Sequence, residues 1–364
     1  MSLTDYIQEQ IRDNGPISFH DFMEIALYHP EDGYYTSPED KIGKEGDYYT
    51  SPWLTPLFGE MLGKQLEDMW TIGGKGQFKI IEYGAGTGAQ CSAIMNYLKQ
   101  NEEFYKNLEY CIIEKNTSKL PASFDDNSKI KIIGSIKDIS PFTGCVLANE
   151  VLDNFPVHVV EKQESLMEVY VDYKDGFYEE LRPAGNQLKE YFQELDVELP
   201  KGFRTEINLQ AIQWLKDISE SLEKGFILTI DYGFLSEDLY NPSRSKGTLL
   251  CYHRHRINDQ PFNFIGEQDI TAHVNFSALA HWGRKFDLHP LGYSDQSTFL
   301  LALGLTSHLR NIEIRMSNDP SSNKEDIFRL YKFLADMGKK FRVLIQEKGM
   351  PNSKLMGMQF ANVI

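Results

Sequence analysis

The sequence predicts an α/β protein built on a mostly parallel, doubly wound sheet, with a helical N-terminal lid ahead of it and a β-rich insertion within it. Three observations carry this expectation. Short runs at 78–82, 110–113, 130–133, 145–148 and 226–230 are apolar on both faces and alternate with helical or turn segments, as strands covered by helices on two sides do. The first run is followed by Gly84-Ala85-Gly86-Thr87-Gly88 and then by Cys91, Ile94, Met95 and Leu98 at one-face helical spacing, a Rossmann-like strand–glycine loop–helix order. Residues 157–205 break the rhythm, with strand-like runs at 157–160 and 166–173 and a Lys174-Asp175-Gly176 turn signal.

Taken in order, Ile7, Ile11, Phe19, Phe22, Met23, Ile25, Ala26 and Leu27 predict two short helices around the Gly15-Pro16 break. Tyr34-Tyr35-Thr36-Ser37-Pro38 and Tyr48-Tyr49-Thr50-Ser51-Pro52 read as aromatic turns of a lid. Leu54, Leu57, Phe58, Met61, Leu62, Leu66 and Met69 then mark an amphipathic helix. After the insertion, Ala211, Leu215, Ile218 and Leu222 predict a helix closing at Gly225. Residues 234–275 read as a long loop, which in a compact domain is usually functional. Helices are expected at 277–285 and 327–337, and an apolar run at 341–345. The division expected is a lid at 1–70, a first core half at 71–156, the insertion at 157–205, and a second core half at 206–364 containing the loop. The added lengths read as apparatus for enclosing an acceptor rather than as a unit with its own core.

The chain has 364 residues, and 37 Lys and Arg against 53 Asp and Glu leave a formal charge of −16. That argues against a phosphate-backbone binder, which normally carries a basic footprint, and leaves room for a cationic small molecule or a basic protein partner. No apolar run reaches the roughly 20 residues needed to span a bilayer. Cys91, Cys111, Cys145 and Cys251 have no C-x-x-C spacing and sit in or beside apolar runs, as buried thiols in a reducing compartment do. The N-terminus, with Asp5, Glu9 and Asp13 against Arg12, resembles neither a signal nor a transit peptide. A cytoplasmic protein is the expectation, and a homodimer is left open.

The glycine loop is where a ligand is expected. Its glycines permit positive φ and close backbone approach, and the helix after it offers free N–H groups to an anion. A tight turn also uses glycine, so the context matters. The spacing is G-x-G-x-G, neither the dinucleotide fingerprint nor a P-loop. That leaves an adenosine-type ligand without a pyrophosphate, S-adenosylmethionine, with its carboxylate at the helix N-terminus. Gly84, Gly86 and Gly88 would cradle it, Glu82 and Glu114 are placed to hold ribose hydroxyls, and Thr50, Ser51 and Pro52 would fold over it. Asn149 and Glu150 end the fourth strand, where ligands sit in such sheets, although a helix cap with an ordinary turn has the same composition. His253 and His255, at alternate positions, would share a strand face, but no third ligand lies nearby and no metal site is expected.

These residues resemble the class I S-adenosylmethionine-dependent methyltransferases, and more specifically the MidA family, which includes a mitochondrial complex I assembly methyltransferase. The resemblance rests on Gly-Pro-Ile-Ser-x-x-x-Phe-Met (15–23), His-Pro-x-x-Gly-Tyr-Tyr (29–35), Gly-Asp-Tyr-Tyr-Thr-Ser-Pro…Phe-Gly-Glu (46–60) and Ala-Asn-Glu-Val-Leu-Asp-Asn-Phe-Pro-Val (148–157). It continues through Arg-Thr-Glu-Ile-Asn (204–208), Thr-Ile-Asp-Tyr-Gly (229–233) and Asp-Ile-Thr-Ala-His-Val-Asn-Phe-Ser-Ala-Leu (269–279). Tyr83-Gly84-Ala85-Gly86-Thr87-Gly88 departs from the family's frequent Gly-Pro-Gly-Arg-Gly, but keeps all three glycines.

The resemblance implies a class I methyltransferase fold and transfer to arginine on a protein partner. A guanidinium is protonated in water and needs carboxylates that hold it bidentately. Glu150, Asp153 and Glu206 are the candidates, Glu206 being expected to open a helix, where a capping acid is the plainer reading. Asp231, after the fifth strand, and His273 are further candidates, against a simple turn and a structural histidine. A cofactor-binding assembly chaperone with little catalysis and a small-molecule methyltransferase remain as alternatives. A nicotinamide oxidoreductase is disfavoured by the glycine spacing.

Overall fold

The computed structural model describes residues 2–37, 56–308, 310 and 338–364. The chain forms two compact units, one from Tyr49–Val151, Leu215–Tyr232 and Gly283–Ile364, the other from Met1–Tyr48, Leu152–Trp214 and Gly233–Trp282. Thr50, Ser51 and Pro52, and the helix expected at 327–337, lie outside the described residues.

The first unit holds the expected sheet. Its strands are β1 (Phe78–Tyr83), β2 (Leu108–Ile113), β3 (Ile130–Ile132), β4 (Phe142–Asn149), β5 (Leu222–Phe234), β6 (His289–Asp295) and β7 (Phe341–Lys348), in the order β6-β7-β5-β4-β1-β2-β3. From β5 to β3 the pairing is parallel, while β7 is antiparallel to both β5 and β6. The sheet order reverses beside β1, and a crevice at strand carboxyl ends forms at such a switch point. The central strands read apolar on both faces because both faces are buried, with Ile80, Leu147 and Leu228 on one and Ile81, Val146 and Ile227 on the other, whereas edge strand β3 is exposed at Lys131 and Ile132. Ile80, Leu147, Leu228 and Val343 share one core with Phe58, Met61, Leu62 and Leu66 of helix Pro56–Ile72, and with Cys91, Ile94 and Met95 of helix Ala89–Leu98. Each fully buried side chain of this kind contributes about 1.5–3 kcal/mol. Helix Pro56–Ile72 belongs to this unit and not with the N-terminal helices, because its apolar stripe packs in the sheet's core. Gly225 does not close a helix. Helix Leu209–Ser221 ends before it, and Gly225 pairs inside β5 with Gly144 of β4.

The second unit is antiparallel. Strands Ile17–Ser18, Leu166–Tyr173, His158–Lys162 and Arg204–Ile207 follow one another in the sheet, and Phe177–Pro183 pairs with Leu166–Tyr173 across the 174–176 turn. Helices Leu3–Asn14 and Phe19–Tyr28 start where Ser2 and Ser18 accept the backbone N–H groups of Asp5 and Asp21. Their buried Ile7, Ile11, Phe19, Phe22 and Met23 share a core with Val157, Val159, Val169, Val171, Cys251 and Ile270. The added lengths therefore do own a core, contrary to expectation.

Residues 234–275 are not one long loop. Leu250–His253 pairs with Arg256–Asn258 on one side and Asp269–Thr271 on the other. His253 and His255 do not share a strand face, because Arg254 and His255 make the hairpin turn at φ 49° and 59°. His253 instead stacks on Phe264 with ring centroids 4.3 Å apart.

Candidate active site

In the sheet unit the glycine loop leaves β1 with Gly84, Gly86 and Gly88 at φ 65°, 53° and 74°, a left-handed path that is cheap for glycine alone. The space around the loop is as restrictive as its dihedrals. A Cβ on Gly84 would stand 2.9 Å from Val151 Cγ2, and one on Gly88 would stand 2.7 Å from Phe124 Cε2. The helix that follows starts at Ala89 with no side-chain cap, so its first N–H groups have no side-chain acceptor at Gly88.

Glu114 follows β2 and holds the loop. Its Oε2 accepts the Gly86 N–H at 2.9 Å, and its Oε1 accepts the Asn116 N–H at 2.9 Å. A carboxylate oxygen accepts two hydrogen bonds, so a cis-diol can still be taken there. Glu82 is placed differently from the expectation that it holds a ribose. It is only 1% exposed, and its oxygens accept Gln90 Nε2 and the Tyr110 hydroxyl, both at 2.8 Å. Burial pushes its carboxyl up to about 7, opposed by the Tyr110 and Gln90 hydrogen bonds and raised further by Glu114. Glu82 thus ties β1, β2 and the helix together beneath the loop.

At the end of β4, Asn149 donates to Glu150 Oε1 at 3.3 Å. Among the described residues, Asn149 Oδ1 is buried without a hydrogen-bond partner. Glu150 itself adopts φ 57°, a left-handed conformation costing a non-glycine residue on the order of 1–3 kcal/mol. Strain of that kind clusters at functional positions. Asp231, a further candidate in the sequence, is fully buried. Its Oδ2 accepts the Val151 N–H at 3.2 Å, and its Oδ1 accepts its neighbour Tyr232 N–H at 2.8 Å. The glycine loop, Glu114, Asn149, Glu150 and Asp231 are therefore brought together at the carboxyl ends of β1, β2, β4 and β5.

The second unit gathers the remaining candidates. Glu206 does not open a helix. It lies in strand Arg204–Ile207, opposite Val159, and Asn208 caps the following helix by accepting the Ala211 N–H. Its buried carboxylate accepts the Thr248 N–H and hydroxyl at 3.0 and 2.9 Å and the Leu249 N–H at 3.3 Å. Burial raises its pKa while these bonds and Arg204 lower it. This occupies the carboxylate with backbone, which argues for a structural part. The Thr248 hydroxyl oxygen in turn accepts the His273 N–H at 3.0 Å. Glu206, His273 and Asn275 line a small cavity with Tyr191 and Asn208. Asp153 is buried, and its carbonyl accepts the Ala272 N–H at 2.9 Å.

Sequence reasoning passed over Tyr35, Asn154, Asp269 and Thr248. Asp269 Oδ1 accepts the Tyr35 hydroxyl at 2.9 Å and Asn154 Nδ2 at 3.1 Å. The available signal was that the first three stand in family-like motifs, which this cluster joins across 115 to 234 residues of chain.

A mostly parallel sheet in this order, with a glycine loop after the strand at its switch point, defines a class I methyltransferase. The chain belongs to the family described as "Putative S-adenosyl-L-methionine-dependent methyltransferase", whose model matches residues 61–294. It is 26% identical over 375 residues to the mitochondrial protein arginine methyltransferase NDUFAF7 of Rattus norvegicus, covering 92% of this chain and 82% of that one. It is also 26% identical over 384 residues to the Drosophila melanogaster homolog, covering 96% and 85%. A crystal structure from Burkholderia thailandensis, described as a COG1565 superfamily member and likely methyl transferase bound to S-adenosyl-homocysteine, superposes with a TM-score of 0.88 at 29% identity, covering 99% of this chain and 95% of that one. The protein is thus an enzyme whose methyl donor is S-adenosylmethionine. The site fits this group: positive-φ glycines leave backbone room, Glu114 keeps acceptor capacity, and Asn149 presents a buried carbonyl oxygen with no partner among the described residues.

Proposed function

We propose that the enzyme methylates arginine on a protein partner, and that it carries the MidA label and works in the cytoplasm. The observation that supports the acceptor most is Glu150, a carboxylate held in a strained turn at the end of β4 beside the cofactor loop. The names of the rat and fly relatives support arginine in particular, and four buried free thiols support a reducing compartment.

When bound, S-adenosylmethionine supplies an electrophilic methyl on a sulfonium. The chain's own residues do the rest. The glycine backbone and Glu114 hold the adenosine part, and Asn149 offers its carbonyl oxygen to a donor group. Glu150 would hold two N–H groups of the incoming guanidinium, so that charge localises and one nitrogen presents its lone pair. The proton leaving that nitrogen passes to the Glu150 carboxylate. With a guanidinium pKa above about 12, holding and orientation lower the barrier more than free deprotonation can. Asp153 and His273 remain candidates within the second unit, where the Thr248 hydroxyl donates to Glu206 and accepts the His273 backbone N–H.

Incubating the purified enzyme with methyl-labelled S-adenosylmethionine and cell lysate tests this. Label is expected in protein and, after hydrolysis, in methylarginine. Label confined to low-mass material would favour a small-molecule acceptor, and no transfer at all would favour a binding role.

A further inference from the structure

We infer that Asp231 is a positioning residue that holds the Glu150 turn in its reactive shape. Glu150 has a positive φ, and two contacts from consecutive β5 residues meet the backbone on either side of its peptide. The Glu150 N–H donates to the Ile230 carbonyl at 2.9 Å, and the Val151 N–H donates to the Asp231 carboxylate at 3.2 Å. The other Asp231 oxygen accepts the Tyr232 N–H at 2.8 Å, so one carboxylate joins β5 to the segment leaving β4. The Val151 side chain then abuts Gly84, where an added Cβ would fall 2.9 Å away. One buried acid thus fixes the backbone that leaves the Glu150 turn. Asp231→Asn replaces one of these two acceptor oxygens with an amide nitrogen, which donates and leaves one of the two N–H groups without its acceptor. The part played by Glu150 rests on the arginine-transfer reading above; the clamp itself does not.

The test uses Asp231→Asn, Glu150→Gln and the double variant of the full-length enzyme. Amide exchange at Val151 is followed by mass spectrometry, with turnover and S-adenosylmethionine affinity measured alongside. Asp231→Asn should speed exchange at Val151 at least tenfold, leave β1 and β2 protected, and lower kcat 10- to 100-fold with cofactor affinity changed under about threefold. Adding it to Glu150→Gln should lower kcat less than twofold further, because both act through one turn. Unchanged protection at Val151, or fully additive losses in kcat, would overturn the inference. Full turnover by Glu150→Gln alone would instead remove Glu150 from the chemistry, leaving the exchange result to judge the clamp.

Discussion

The Tyr110 hydroxyl donates to the Glu82 carboxylate at 2.8 Å beneath the glycine loop, in a place shut off from solvent. Burial raises the Glu82 carboxyl from 4.5 to about 7. Between those values the folded protein keeps a proton that the unfolded chain has released. Stability from this group therefore falls as pH rises from 4.5 to about 7 and is level above. Glu82→Gln removes the titration. Relative to wild type, the variant should gain on the order of 2–4 kcal/mol between pH 4.5 and 8, read as the pH dependence of the difference in denaturant midpoint. Parallel stability curves would show that Glu82 titrates normally.

Gly86→Val places a β-branched residue at φ 53°, where strain costs about 1–3 kcal/mol and the loop backbone must move. Calorimetric affinity for S-adenosylmethionine should fall at least a hundredfold in a protein that still unfolds cooperatively. Unchanged affinity would place the cofactor elsewhere.

Glu150→Gln keeps the size of the side chain but removes its charge and its proton-accepting capacity. Cofactor affinity should stay within about threefold, and kcat should fall by 10²–10⁴, the range general acid–base groups contribute. Full activity would contradict its assignment.

Glu206→Ala leaves the Thr248 and Leu249 N–H groups without their acceptor in a buried place, at a cost of about 2–4 kcal/mol. Gly247→Ala should have a similar effect, because its φ is 83° and the new Cβ would lie 2.1 Å from Glu206 Oε1. If Glu206 were catalytic rather than structural, Glu206→Gln would abolish turnover without changing the melting temperature.

Much of the sheet unit was legible from sequence, because doubly covered strands must be apolar on both faces and the glycine loop announces its own strained path. Glu114 and Glu150 stand at strand ends, so strand boundaries were enough to place them. Glu206 was misread because its strand has four residues and ends against a genuine helix cap, Asn208. What Glu206 does depends on Thr248, 42 residues away, just as Asp231's part depends on Val151, 80 residues away; no local pattern records either contact. The strands at 250–271 are only three or four residues long and partly exposed, too short to show an alternation. The apolar residues of the N-terminal helices marked a buried face without naming its partner, which lies in the insertion and the 250–271 sheet.

Transfer to arginine runs, on the proposed function, through Glu150. Quantitative mass spectrometry of methylated arginine peptides, in cells carrying the wild-type gene, no gene, or the Glu150→Gln gene, tests it most directly. At least one arginine site should be methylated with the wild-type gene and unmethylated in both other strains. Identical arginine methylation in all three would contradict it.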